Sequence, residues 1–197
     1  GLIEKRKVTS DKLKIGLNTE HPEKVYDGNE YVVGKAAKED KTHQAWNDLI
    51  ERIYVEDGTE KITVDKSHTS VTDAKYLAGG GKRAKDAADN KDVELQMNFD
   101  TSALKNFDFT DSSMANGTFT YKTTGNIKKK KVTATLEKMT DLRKVYDKTN
   151  IAASGNVKLK DEDVIEEDRD TAKLHIKKAQ YEKKAGDTDA NHDGKNA

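Results

Sequence analysis

The segment with the clearest chemical signal is an acidic stretch near the end of the sequence. Asp189, Asn191 and Asp193 stand at alternate positions and precede a glycine, which is the D-x-N-x-D-G opening of a calcium-binding loop. Carboxylate and amide oxygens at this spacing suit a hard cation, and Asp187 adds a further oxygen ligand. The glutamate that completes such a loop would fall after the last residue, so a polar hairpin tip without calcium is the competing interpretation.

The rest of the sequence lacks a recognisable catalytic constellation. None of its histidines follows the HxxxH or HExxH spacing of a zinc site, and no cysteine is present. No GxSxG nucleophile motif occurs, and Gly79-Gly80-Gly81-Lys82 lacks the spacing of a phosphate-binding loop. We therefore expect that the chain is not an enzyme and that calcium is its only candidate cofactor.

Trp46 is the single tryptophan and the one residue that suggests ligand binding, by stacking on a sugar. It stands with Leu49, Ile50 and Ile53 at helical spacing, which predicts a helix near residues 41–54 with one apolar face. A tryptophan on the apolar face of a helix also suits a place in the core. The core interpretation is favoured, and the sugar-binding one stands as its alternative.

The charge balance and the lack of a long apolar stretch argue against two classes of partner. Lysine plus arginine and aspartate plus glutamate each number 36, so the formal net charge is zero and nucleic acid is not an expected partner. No stretch reaches the roughly 18 apolar residues of a membrane helix, so membrane insertion is not expected either. The one basic run, residues 128–131, is interpreted as lysines that guard a strand edge rather than as a polyanion site.

Alternating apolar residues predict many short strands. Val93, Leu95, Met97 and Phe99 share one face of such a strand, and similar alternation recurs along the chain. Apolar residues make up 33% of the sequence against 37% charged residues, which favours small β domains with thin cores over one large core. We predict a mostly β chain of tandem small β domains, either β-sandwich and immunoglobulin-like or, as the alternative, β-grasp-like.

The sequence also repeats itself. Residues 24–27 and 144–147 are both KVYD, and a basic KVT segment precedes each copy. A third pair of similar blocks follows in the same order. These blocks predict two repeat units, residues 1–127 with a helical insertion and residues 128–197, the second of them truncated.

The repeated blocks resemble the YDG-type repeats of large secreted adhesins and haemagglutinin-like exoproteins of bacteria. Repeats of that family open with a basic segment, continue with a strand of alternating valine and threonine, and reach a KVYDGT motif. Residues 130–136 (KKVTATL) and 144–149 (KVYDKT) follow this order, and residues 24–29 (KVYDGN) repeat the final motif. The resemblance covers most of the chain through short motifs.

The resemblance implies a structural stalk module of a bacterial surface-exposed or secreted adhesin, which spaces or presents a binding region. Its partners would be the neighbouring repeat domains of the same chain, and its location would be extracellular, at the bacterial cell surface. The alternative is a glycan- or host-protein-binding module with a host glycan or matrix protein as its partner. The resemblance also gives structural roles to four motif residues, as tyrosine rings that fill a thin core and aspartates that close Asx-type turns: Tyr26, Asp27, Tyr146 and Asp147.

Overall fold

The computed structural model describes residues 1–109, 114, 116–136, 157–159 and 162–172. Its elements are mostly β-strands, so the predicted fold class is confirmed at this level. The chain divides into two compact units, Gly1–Lys130 and Lys131–Ala197, and the sequence had placed the boundary after residue 127. The repeat relationship between the units stays a prediction, because the second KVYD copy lies outside the described residues.

The described part of the first unit is built from short and medium strands with two brief α-helices. The helices are α1 (Lys35–Glu39) and α2 (Gln44–Asn47), and 3-10 turns lie at Lys66–His68 and Gly79–Gly81. The strands are β1 (Arg6–Lys7), β2 (Leu13–Leu17), β3 (Glu23–Val25), β4 (Ile50–Asp57), β5 (Glu60–Val64), β6 (Thr69–Ala78), β7 (Lys82–Arg83), β8 (Ala88–Phe99), β9 (Phe107–Asp108) and β10 (Thr118–Lys128).

The described residues of the second unit contain a small strand pair. β11 (Ala134–Leu136) runs antiparallel to β12 (Val157–Leu159), and a 3-10 turn follows at Glu166–Asp168. The backbone N–H of Thr133 donates a hydrogen bond of 2.9 Å to the carboxylate of Asp163. This contact fixes the start of β11 against the segment after β12.

Three sheets organise the part of the first unit that the structure describes. A five-stranded sheet has the order β3-β10-β8-β6-β7, in which β3 runs parallel to β10 and the other neighbours are antiparallel. A three-stranded antiparallel sheet has the order β2-β4-β5, and β1 and β9 form a parallel pair. The loop before α1 pairs with the edge of β6, where Tyr31 lies opposite Lys75. This loop and β7 therefore cover the same edge of the five-stranded sheet.

One hydrophobic core collects side chains from both of the larger sheets. In β8 the predicted apolar face, Val93 to Phe99 at every second residue, is buried, and the residues between are more exposed, which confirms the alternation. Ile53 and Val55 of β4 enter the same core from the three-stranded sheet. Each fully buried side chain of this size contributes about 1.5–3 kcal/mol, so this core is the main support of the unit.

The predicted helix near residues 41–54 is wrong over most of its length. Only Gln44–Asn47 is α-helical, and Ile50 and Ile53 lie in β4. Both isoleucines face the core although they are three residues apart, because the register of β2 against β4 shifts and leaves Glu51 unpaired. Such a bulge converts the period of two into a spacing of three, which imitates one turn of an amphipathic helix.

Tyr76 closes one end of the core with a polar contact. Its side chain is fully buried, and its hydroxyl lies 3.1 Å from the carbonyl oxygens of both Pro22 and Asn126. Gly125 makes room for this arrangement, since a Cβ there would lie 2.5 Å from the Pro22 carbonyl oxygen. Burial, and secondarily the nearby carboxylate of Glu23, raises the pKa of the Tyr76 phenol.

Alkaline pH is expected to destabilise the first unit through Tyr76. The folded state holds the phenol proton more tightly than the unfolded chain does. Its contribution is therefore complete below the unfolded pKa of about 10 and is lost as the pH rises above that value. Urea denaturation between about pH 8 and 11 should show a steeper loss of stability in the native chain than in Tyr76→Phe. Tyr54→Phe, a change on the partly exposed outer side of β4, should keep the native slope; equal slopes in all three chains would contradict this assignment.

Candidate functional site

The structure describes only some of the candidate site residues that were predicted from the sequence. Trp46, Tyr26 and Asp27 lie in the first unit and are described. The candidate calcium ligands and the second copy of the motif lie outside the described residues, and these positions stay predictions: Tyr146, Asp147, Asp187, Asp189, Asn191 and Asp193.

The first KVYD motif is organised around the ammonium group of Lys24. This side chain leaves β3 toward the inside of the loop and is only 5% exposed. Its Nζ donates to the Asp27 carboxylate at 2.6 Å, to the Asn29 backbone carbonyl at 2.6 Å and to the Asn29 side-chain oxygen at 3.0 Å. The Tyr76 ring lies beneath it, with 5.8 Å between Nζ and the ring centroid. The loop therefore encloses a cation that belongs to the chain itself.

The turn after β3 has the form that the motif predicted. The Asp27 carboxylate accepts a hydrogen bond from the Asn29 N–H at 3.3 Å, which is the expected Asx-type turn, and Gly28 adopts a positive φ of 78°. The Asn29 side chain in turn accepts from the Tyr31 N–H at 2.9 Å. Burial lowers the pKa of Lys24, and the hydrogen bond and charge of Asp27 oppose that shift. The Lys24 ammonium group, one carboxylate oxygen of Asp27 and the side-chain oxygen of Asn29 thus bond to partners within the loop.

A cluster of ion pairs that the sequence did not predict lies on the side of the five-stranded sheet away from the core. Asp73 is buried there, its carboxylate accepts from Arg83 at 3.1 Å, and the Lys75 Nζ lies 3.7 Å away. Arg83 also donates to Glu30 at 3.0 Å, which ties the loop before α1 to β7. Asp73 reaches this side because β6 bulges between Val71 and Asp73. Only strand pairing reveals that shift, so the sequence pattern gave no signal of it.

Trp46 belongs to the core. Its side chain is fully buried, and its indole N–H donates a hydrogen bond of 2.7 Å to the Val32 carbonyl. The rings of His43 and Tyr31 pack near it, with centroid distances of 4.9 Å and 6.3 Å. The core interpretation of the sequence fits this position, and neither face of the indole ring is open to a sugar in this structure.

A cleft of about 480 Å³ lies beside the helix that carries Trp46. One wall consists of Gln44, Asn47 and Asp48 at α2, and the other runs along residues 65–69. Its volume falls within the range of about 300–1,000 Å³ that is typical of ligand pockets. The sequence pointed to α2 through Trp46, but the second wall comes from a segment that only the fold brings close.

Neither a metal centre nor a membrane span is found in the part of the chain that the structure describes. Its histidine, aspartate and glutamate side chains form no group of three or more that could hold a metal ion. Its helices are too short or too polar to cross a membrane. The candidate calcium loop lies outside this part and is unaffected by the observation.

Comparison with known proteins identifies no relative of this chain. No family model, curated protein or solved structure matches it. The resemblance to YDG-type repeats therefore stays a hypothesis that rests on the motif residues.

Proposed function

We propose that this chain is a structural stalk module of a bacterial surface-exposed or secreted adhesin, which spaces or presents a binding region carried elsewhere. The observation that carries the proposal is the Lys24 loop. The ammonium group of Lys24 and the carboxylate of Asp27 bind each other and the backbone of Asn29, which supports a motif that maintains a loop rather than one that presents these groups to a ligand. A spacer needs such internally satisfied connections, because its task is to keep its own shape.

The ion pairs outside the core support the same proposal. Asp73, Arg83 and Glu30 join the loop before α1, β6 and β7 through side chains of opposite charge. In this proposal the partners of the chain are neighbouring domains of the same polypeptide, and its location is the outer surface of the cell.

Exchange of the module within its surface protein tests the proposal. Residues 1–130 are replaced by an unrelated β domain of similar length, and attachment of the cells to their target surface is measured. A stalk module is expected to be replaceable, so attachment should persist after the exchange and fall after a simple deletion that shortens the protein. Loss of attachment after the exchange, with the protein still displayed at native levels, would show that these residues recognise something themselves.

A further inference from the structure

The cleft beside α2 has a polar rim. Ile50 and Val71 lie at its base, but their side chains are only 3% and 1% exposed and belong to the hydrophobic core, so they close the base without presenting a face to a ligand. The rim carries amide, hydroxyl and carboxylate groups from Gln44, Asp48 and Ser67. A ligand in this cleft would therefore be held mainly by hydrogen bonds.

Part of the cleft wall is held in place by hydrogen bonds to the backbone. The Asn47 side chain accepts from the Val71 N–H at 2.8 Å and donates to the Thr42 carbonyl at 3.2 Å. The Lys66 Nζ donates to the Ile50 carbonyl at 3.0 Å. These contacts keep α2 and the segment after β5 at a fixed separation. A ligand would therefore meet a wall that is already formed, which reduces the entropy lost on binding.

The opposite wall and the rim are ordered in the same way. Asp65 accepts from both the N–H and the hydroxyl of Ser67, at 2.9 Å and 2.8 Å, and so fixes the turn that follows β5. Across the cleft, the Gln44 amide donates to the Asp48 carboxylate at 2.6 Å. Each of these carboxylates has a second oxygen that can accept from a ligand.

The mixture of donors and acceptors identifies the class of ligand. An anion would require donors alone, and the carboxylates of Asp48 and Asp65 would repel it. A bare cation would require acceptors alone, whereas the lining also contains the ammonium group of Lys66 and the amides of Gln44 and Asn47. A sugar hydroxyl both donates and accepts, so it suits a rim that offers both.

We propose that this cleft binds a neutral saccharide, whose hydroxyl groups bond to Gln44, Asp48 and Asp65. The proposal does not depend on the stalk function, because a spacer can also carry a binding cleft. The exchange of residues 1–130 would not show which residues bind, so the cleft needs a test of its own. The proposal also differs from the sugar-binding alternative drawn from the sequence, in which the ring of Trp46 would make the contact.

A panel of immobilised neutral oligosaccharides built from glucose, galactose, mannose and N-acetylglucosamine tests the proposal. The native chain is expected to bind at least one of them saturably. Gln44→Ala combined with Asp48→Ala should weaken that binding by at least about tenfold, because the two substitutions remove rim groups that bond to the sugar hydroxyls. The control is Gln96→Ala with Asp92→Ala, the same pair of substitutions on exposed positions of β8, which should leave binding unchanged.

A variant that fills the cleft tests whether the saccharide binds there. Ser67→Trp places a large ring in the cleft from an exposed position and should abolish binding without loss of folding, as checked by circular dichroism. Absence of saturable binding by the native chain would overturn the proposal. Binding that survives both the rim variant and Ser67→Trp, or binding confined to charged glycans, would overturn it as well.

Discussion

Replacing Trp46 by alanine is expected to lower the free energy of unfolding of the first unit by about 3–5 kcal/mol. The indole ring is fully buried, so its removal opens a cavity between α2 and the five-stranded sheet. The Val32 carbonyl also loses the donor that lies 2.7 Å away, and an unsatisfied buried acceptor adds to the cost. Urea denaturation followed by far-ultraviolet circular dichroism measures the loss, since the substitution removes the only tryptophan.

Two further variants separate the volume of the ring from its hydrogen bond. Trp46→Phe keeps most of the apolar volume and loses the bond to Val32, so a loss of about 1–2 kcal/mol is expected. Tyr54→Ala removes a partly exposed aromatic ring from the outer side of β4 and should cost clearly less than Trp46→Ala. If Trp46→Ala costs no more than Tyr54→Ala, the ring is not part of the core and its role in sugar binding returns as the better interpretation.

The parts of the fold that the sequence predicts are those in which a strand keeps an unbroken period of two. β8 is such a strand, and its buried residues from Val93 to Phe99 could be identified from the alternation of apolar residues alone. The prediction failed in β4, where unpaired Glu51 places Ile50 and Ile53 on one side at a spacing that also suits a helix. A bulge depends on how two strands pair, and a single sequence does not contain that pairing.

The candidate sites also differ in whether they depend on local sequence or on the pairing of distant segments. The Asx-type turn at Asp27 follows from a short local motif, because its acceptor and donor are two residues apart. The ion pair of Asp73 with Arg83 depends on the register of β6 and β7, and the cleft depends on α2 meeting the segment after β5. Interactions between distant segments therefore required the fold, whereas local turns did not.

Replacing Lys24 by methionine is expected to destabilise the first unit by about 2–3 kcal/mol. Methionine keeps much of the aliphatic stem but removes the ammonium group that holds Asp27 and Asn29. Breaking a buried ion pair costs about 3–5 kcal/mol, and the Asp27 side chain is 34% exposed, so solvent screening reduces that cost. Urea denaturation measures the loss, and amide hydrogen exchange of residues 27–31 should accelerate more than that of β8.

A substitution at a matched lysine and a double substitution determine whether the loss of stability comes from the ammonium group of Lys24. Lys35 pairs with Glu39 at 3.4 Å on an exposed helix, so Lys35→Met should cost far less than Lys24→Met. Adding Asp27→Asn to Lys24→Met removes the uncompensated charge, and part of the lost stability should return. If the two substitutions at 24 and 27 are instead strictly additive, the ion pair contributes no coupling energy. The KVYD loop would then depend on its backbone turn and on the burial of the lysine stem alone, and the ion pair would no longer support a structural role for the motif.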